Sequence, residues 1–87
     1  MHPMAKRIDV QPIVDEITTR IVMGDRDDRL RWLKDGSVRV EVGKVFPGGS
    51  GYKHTIQGRR RRLRAALIER LRPDGWVHLG RNTFGRT

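Results

Sequence analysis

The most regular stretch of the chain is also its most highly charged. Residues 59–72 read Arg-Arg-Arg-Arg-Leu-Arg-Ala-Ala-Leu-Ile-Glu-Arg-Leu-Arg. Leu63, Ala66, Leu67 and Leu71 recur at helical spacing, most of these residues are good helix formers, and Pro73-Asp74-Gly75 stops the run. The pattern predicts a helix over 59–72 whose leucines must be buried by other elements. Whatever else the chain forms has to build a core against one face of a strongly cationic helix.

Little material is available for that core. Eighty-seven residues make a single domain, 1–87, and a domain of this size buries only about 60% of its unfolded surface. Leu, Ile, Val and Phe number 22 of 87, or 25%, above the roughly 20% below which disorder is expected, so folding is expected with a thin core. A second copy would supplement such a core, and a homodimer is one expectation. Residues 1–9 lack periodicity and read as flexible. No run approaches the ~18 apolar residues of a membrane span, and no apolar stretch follows the basic start as a secretory signal requires. The chain has no cysteine, which excludes disulfides and thiol chemistry and suits a cytoplasmic protein.

The remaining elements follow from local pattern. Pro12 opens a helix over 12–23, with Ile13, Ile17 and Ile21 on one face, Asp15 and Glu16 in the first turn, and Gly24 at the end. Residues 25–34 read as a short second helix, capped by Asp25 or Asp27 and ended by Gly36, with Leu30 and Leu33 inward. Val38, Val40 and Val42 alternate with polar residues, and Tyr52, His54 and Ile56 do the same. These predict a β-hairpin, 38–46 with 52–57, around a mobile glycine-rich loop at 47–51. In the competing reading Thr55 caps a longer helix. Trp76-Val77-His78-Leu79 and Thr83-Phe84-Gly85-Arg86 form a terminal hairpin about Gly80-Arg81-Asn82. The fold class is α+β in the order α-α-β-β-α-β-β, with the basic helix followed by a C-terminal β-hairpin.

The charge is unevenly distributed. The net charge is +9, yet residues 1–35 hold seven bases and seven acids. The whole excess lies in 36–87, and arginine outnumbers lysine fifteen to four. Such a distribution points to a polyanionic partner, nucleic acid first. Arginine grips phosphates and guanine edges with two donors at once, although GC-rich coding also favours arginine. Arg59, Arg60, Arg61, Arg62, Arg64 and Arg72 are the candidate docking residues. At a helix start, cations oppose the helix dipole and four in succession repel, a cost that a phosphate backbone would relieve. Lys53, beside the glycine loop, could add a phosphate contact.

The end of the chain, residues 58–87, resembles a winged-helix DNA-binding domain: a basic helix, a tight break, and a two-stranded hairpin. The resemblance implies that the helix over 59–72 reads the groove and that Arg81, with Asn82, forms the tip of the wing. In size and arginine content the chain also resembles products of small phage or plasmid genes from GC-rich bacteria.

Catalysis and metal binding have little to draw on. His2, His54 and His78 share no ligand spacing, and Asp25, Asp27 and Asp28 lack the remaining ligands of a calcium loop. No enzyme, cofactor or metal is expected, and the cationic helix has too few large apolar residues to lie on a membrane. The sequence therefore reads as a small nucleoid-associated protein that docks its basic helix on double-stranded DNA, as a transcriptional regulator or an accessory factor. RNA binding, including ribosome association, fits the charge equally but finds only five aromatic residues for base stacking. An adaptor or inhibitor gripping an acidic host protein is the third reading, with Trp32 in its contact surface.

Overall fold

The computed structural model describes residues 10–46 and 53–86, with side chains in the second stretch described from Ile56 onward. Helix α1 spans Gln11–Met23, strand β1 Leu30–Trp32, strand β2 Val38–Val40 and the single turn α2 Val42–Val45. The long helix α3 runs Lys53–Leu71 and tightens into a 3₁₀ turn at Arg72–Asp74. Strands β3, Trp76–Gly80, and β4, Thr83–Arg86, complete the chain. The fold is α+β, with one antiparallel four-stranded sheet in the order β1-β2-β4-β3. Residues 1–9 and the glycine loop at 47–51 lie outside the described residues.

Helix α1 forms as its sequence requires. Pro12 sits at its start, and Val14, Ile17, Thr18 and Ile21 are buried along one stripe. Gly24 ends it in the left-handed conformation at φ 70°, donating to Ile21 O, while Asp25 N donates to Arg20 O. These two hydrogen bonds satisfy carbonyls that a helix end leaves open. Asp15 and Glu16 fall beyond the first turn and serve in ion pairs instead. Asp15 pairs with Arg70 of α3, and Glu16 accepts from Arg29 at 2.7 Å.

The short second helix expected over 25–34 does not form. Asp27 folds residues 25–29 into a turn, accepting the Arg29 backbone N–H at 2.8 Å and holding the Arg29 guanidinium through both carboxylate oxygens. Leu30-Arg31-Trp32 then leaves as a strand. Residues 33–36 close a turn through Gly36 N to Leu33 O, and Gly36 takes φ 87°. Asp35 accepts from the backbone N–H and the hydroxyl of Ser37, which holds the turn from inside. The result is a hairpin with Leu30 opposite Val40 and Trp32 opposite Val38. The helical spacing of Leu30 and Leu33 loses to the alternation of Leu30 and Trp32, because Val38 and Val40 offer a partner strand one tight turn away.

The hairpin expected between 38–46 and 52–57 is likewise replaced. Strand β2 ends at Val40, residues 42–45 turn once as α2, and residues from Lys53 onward belong to α3. Ile56 packs against the core on the stripe that continues through Leu63, seven residues on, and Leu67. That burial draws 53–58 into the helix. In place of the lost pairing, β2 pairs with β4, with Val38 opposite Phe84.

The core lies between the helices and the inner sheet face. Val14, Ile17 and Ile21 of α1 and Leu63, Leu67 and Leu71 of α3 meet Val38, Val40, Trp76 and Phe84. Trp32 is half-buried at the margin, edge-on to Trp76 with ring centroids 6.0 Å apart, and its indole N–H donates to Asp25 O at 2.9 Å. Among the described residues no helix is long and apolar enough to cross a membrane.

Asp27 joins the turn to α1, since Arg29 binds it and Glu16 together and Arg20 lies 3.8 Å away. The Arg29 guanidinium, then its backbone N–H, hold the Asp27 carboxyl well below its usual 3.8. A depressed carboxyl stabilises the fold above its unfolded pKa, and that contribution is lost as the pH falls below about 4. Asp27→Ala is expected to lower stability by about 1–2 kcal/mol at pH 7. In urea unfolding followed by tryptophan fluorescence, the gap to the parent should narrow steadily below pH 4. A gap of constant size down to pH 2 would mean that the ion pair is not its source.

Candidate nucleic-acid interface

Helix α3 begins six residues before the arginine run, so residues 59–62 stand beyond its first turn. The helix dipole acts within the first turn. It therefore does not penalise these cations, contrary to the expectation from a helix starting at 59. What remains is their mutual repulsion and the way the helix distributes them. At about 100° per residue, Gln57, Arg61 and Arg64 fall within about 60° of one another on one flank. Arg60 lies between that flank and the leucine stripe. Arg59 and Arg62 fall on the opposite flank, the side from which Arg70 reaches Asp15 of α1. Four consecutive charges thus serve two surfaces.

The first flank opens on a cleft of about 210 Å³ lined by Val42, Gln57, Arg60, Arg61, Arg64 and Asn82. Three elements meet there: α2, α3 and the turn between β3 and β4. Two hydrogen bonds set their spacing. Val40 N donates to Asn82 O at 2.8 Å, which holds the hairpin turn against the end of β2. Arg60 Nη2 donates to Phe46 O at 2.9 Å, which ties the residue after α2 to α3. Gly43 presents no side chain beside this guanidinium; a Cβ there would lie 4.0 Å from Nη2. Arg60 Nε is buried without a hydrogen-bond partner among the described residues. Arg60 is therefore a clamp that also brings charge to the cleft wall, while Arg61 is exposed and Arg64 half-exposed.

The hairpin turn carries backbone strain. Arg81 adopts φ 47°, a left-handed conformation that costs a side-chain-bearing residue roughly 1–2 kcal/mol. His78, its ring tilted against that of Phe84 with centroids 5.5 Å apart, donates from Nε2 to Arg81 O at 2.5 Å and helps hold the turn. Arg81 is exposed, and Asn82 is half-buried.

The other expected site residues separate. Arg72 lies in the 3₁₀ turn and donates to Glu69 at 3.1 Å, so its charge is already met. Lys53 opens α3, and its side chain lies outside the described residues. Among the described residues, no carboxylate comes within ion-pair distance of Arg59, Arg60, Arg61, Arg62, Arg64 or Arg81. Of the acids nearest in sequence, Glu69 pairs with Arg72, and Glu41 and Asp74 form no ion pair among the described residues. Gln57 was missed from sequence, although its spacing of four to Arg61 and seven to Arg64 puts all three on one helix face. No group of three His, Asp or Glu side chains among the described residues could hold a metal ion.

Compared with protein-family models, curated proteins and solved structures, the chain matches none.

Two substitutions separate architecture from charge. Arg60→Ala should lower stability by about 1–2 kcal/mol, through the lost bond to Phe46 O and the lost packing of its stem. Arg81→Gly relieves the left-handed strain and should leave stability unchanged or raise it by up to about 1 kcal/mol. Thermal unfolding of both variants checks this; destabilisation by Arg81→Gly would show that the arginine side chain itself holds the turn.

Proposed function

We propose that this protein binds double-stranded DNA, with α3 and the β3–β4 hairpin engaging the duplex together in the manner of a helix and its wing. The observation that carries the reading is the cleft where Arg61, Arg64 and Gln57 face Asn82 across a gap bounded by the Arg60 clamp. Its cations have no carboxylate partners among the described residues, so phosphates are their natural counter-charge. Gln57 and Asn82 carry amides, which can both donate to and accept from base edges. The cleft is small beside a duplex. Its role in this reading is to receive backbone and base edges at one point while the exposed arginines of α3 follow the phosphates on either side.

Two further observations favour a duplex over single-stranded RNA. Single strands are gripped by stacking bases on exposed aromatic rings. Of the described aromatic residues, Phe46, Trp76 and Phe84 are buried and Trp32 is half-buried against Trp76. Arg86, near the ring of Trp76 at 5.8 Å to its centroid, covers it further. The protein would then act as a regulator or accessory factor on the nucleoid, by binding and not by catalysis.

Fluorescence anisotropy with a random-sequence duplex and a structured RNA, each titrated over several salt concentrations, tests the reading. The expected result is preferential duplex binding that weakens steeply with salt. Arg61→Ala with Arg64→Ala should lower affinity and flatten the slope by about 1.8, since each phosphate contact contributes about 0.9. Failure to bind either polymer at low salt would refute nucleic-acid binding, and preference for the RNA would redirect the site to that ligand.

A further inference from the structure

The outer face of the sheet carries a second cationic feature, on the hairpin formed by β1 and β2. Arg31 on β1 and Arg39 on β2 are direct cross-strand partners. The positions flanking them are hydrogen-bonded, Leu33 N to Ser37 O at 2.8 Å and Glu41 N to Arg29 O at 2.7 Å. By the two-residue repeat of an antiparallel ladder, Arg31 and Arg39 are a hydrogen-bonded pair with Cα atoms about 5.5 Å apart. Like charges directly opposite one another destabilise a sheet. Both side chains are exposed, and neither has an ion-pair or hydrogen-bond partner among the described residues. Asp28 and Glu41 share a shallow cleft with Arg31, yet Asp28 is 3.6 Å from Lys44 and neither carboxylate comes within ion-pair distance of Arg31.

The position of this pair matters as much as its charge. Arg39 is the cross-strand partner of Thr83 on β4, and Thr83 pairs with Gly80 on β3. Thr83 follows directly on Arg81-Asn82. The row Arg31, Arg39, Thr83 therefore crosses the sheet and ends at the same hairpin turn that forms one wall of the α3 cleft. Neighbouring strands are about 4.8 Å apart, which carries the row about 10 Å from Thr83 to Arg31. A polyanion leaving the cleft past the turn meets the hydroxyl of Thr83, then Arg39, then Arg31.

We infer that the Arg31–Arg39 pair is a second backbone-binding strip, which takes the phosphates of the same duplex beyond the hairpin turn and lengthens the contacted site. This rests on the duplex-binding reading of the α3 cleft. It assigns to the first hairpin a role of its own: the acids around it pair with Arg20, Arg29 and Lys44 and leave Arg31 and Arg39 without a partner among the described residues.

The test compares three double variants of the full chain on one duplex: Arg31→Gln with Arg39→Gln, Arg31→Lys with Arg39→Lys, and Arg61→Ala with Arg64→Ala. The glutamine pair should flatten the salt slope by about 1.8, so that the parent's advantage in affinity shrinks about tenfold between 50 and 200 mM salt. The lysine pair should keep the parental slope, because point charges satisfy phosphates. Thermal unfolding should show the glutamine pair at least as stable as the parent, because the cross-strand repulsion is gone. Parental affinity and slope in the glutamine pair, with the Arg61/Arg64 variant weakened, would overturn the strip and leave the cleft reading standing. A parent that binds no duplex overturns both. A glutamine pair that loses stability and binding while the lysine pair keeps both still supports the strip, provided binding stays weakened at a temperature where circular dichroism shows both variants folded; binding restored there overturns it.

Discussion

Val38 opposite Phe84 is the contact on which the arrangement depends. Each of the two hairpins, β1–β2 and β3–β4, would be marginal alone in water, as two-stranded hairpins are. Their junction makes one four-stranded sheet with a continuous inner face, and both partners are essentially fully buried. Burying a side chain such as Phe84 stabilises by about 1.5–3 kcal/mol, a sizeable share of what so small a domain can hold. The same register sets the surfaces. With Val38 on Phe84, Val40 must meet Asn82 and Arg39 must meet Thr83. The hairpin turn is thereby fixed beside α2 and α3 on one side and beside the Arg31–Arg39 row on the other. A slip of one residue would turn Arg39 inward and move Asn82 off the end of β2.

The sheet junction also explains how the charges divide. The acids of the first part of the chain are used close to where they occur in sequence or across to the end of α3. Asp25 and Asp27 meet Arg20, Asp27 and Glu16 meet Arg29, Asp28 meets Lys44, and Asp15 meets Arg70. Most of these pairs are exposed and contribute little each, about 0–1 kcal/mol. Their more important effect is to hold these carboxylates outside the α3 cleft, whose lining contains no acid among the described residues. None described reaches the cleft, so the positive charge there is uncompensated by the described residues.

Much of this was legible in the sequence, for reasons that differ by element. Helix α1, the terminal hairpin and the leucine stripe of α3 were readable because their signals are local: Pro12 and Gly24 at the ends of one helix, Gly80-Arg81-Asn82 between two strands, and leucines at a helical period. The first hairpin was misread because Asp35-Gly36 serves equally as a helix stop and as a hairpin turn. Only the partner strand at Val38 and Val40 decides between them. The start of α3 was misread because Ile56 at a two-residue alternation with His54 mimics a strand. Its true spacing, seven residues to Leu63, becomes visible only once a core exists to receive both. The pairing of β2 with β4 joins residues more than forty positions apart, and no local pattern encodes it.

The division of the arginine run has the same origin. In sequence, residues 59–62 form one block of four equivalent charges. A helix turns each by about 100°, and the environment then gives each a different task. Arg60 is drawn toward the core margin, where its stem packs and its guanidinium caps Phe46 O. Arg61, with Arg64, faces the hairpin turn. Arg59 falls on the side from which Arg70 reaches α1, and Arg62 is exposed to solvent. An unbroken run is thus the wrong unit for assigning function, because its members need not act on the same ligand or even as charges. The relevant unit is the helix face, and a face gathers residues from outside the run, as Gln57 and Arg64 show here. The sheet obeys the corresponding rule with a period of two: Arg31 and Arg39, eight residues apart, become immediate neighbours, while Arg39 and Val40 point to opposite sides.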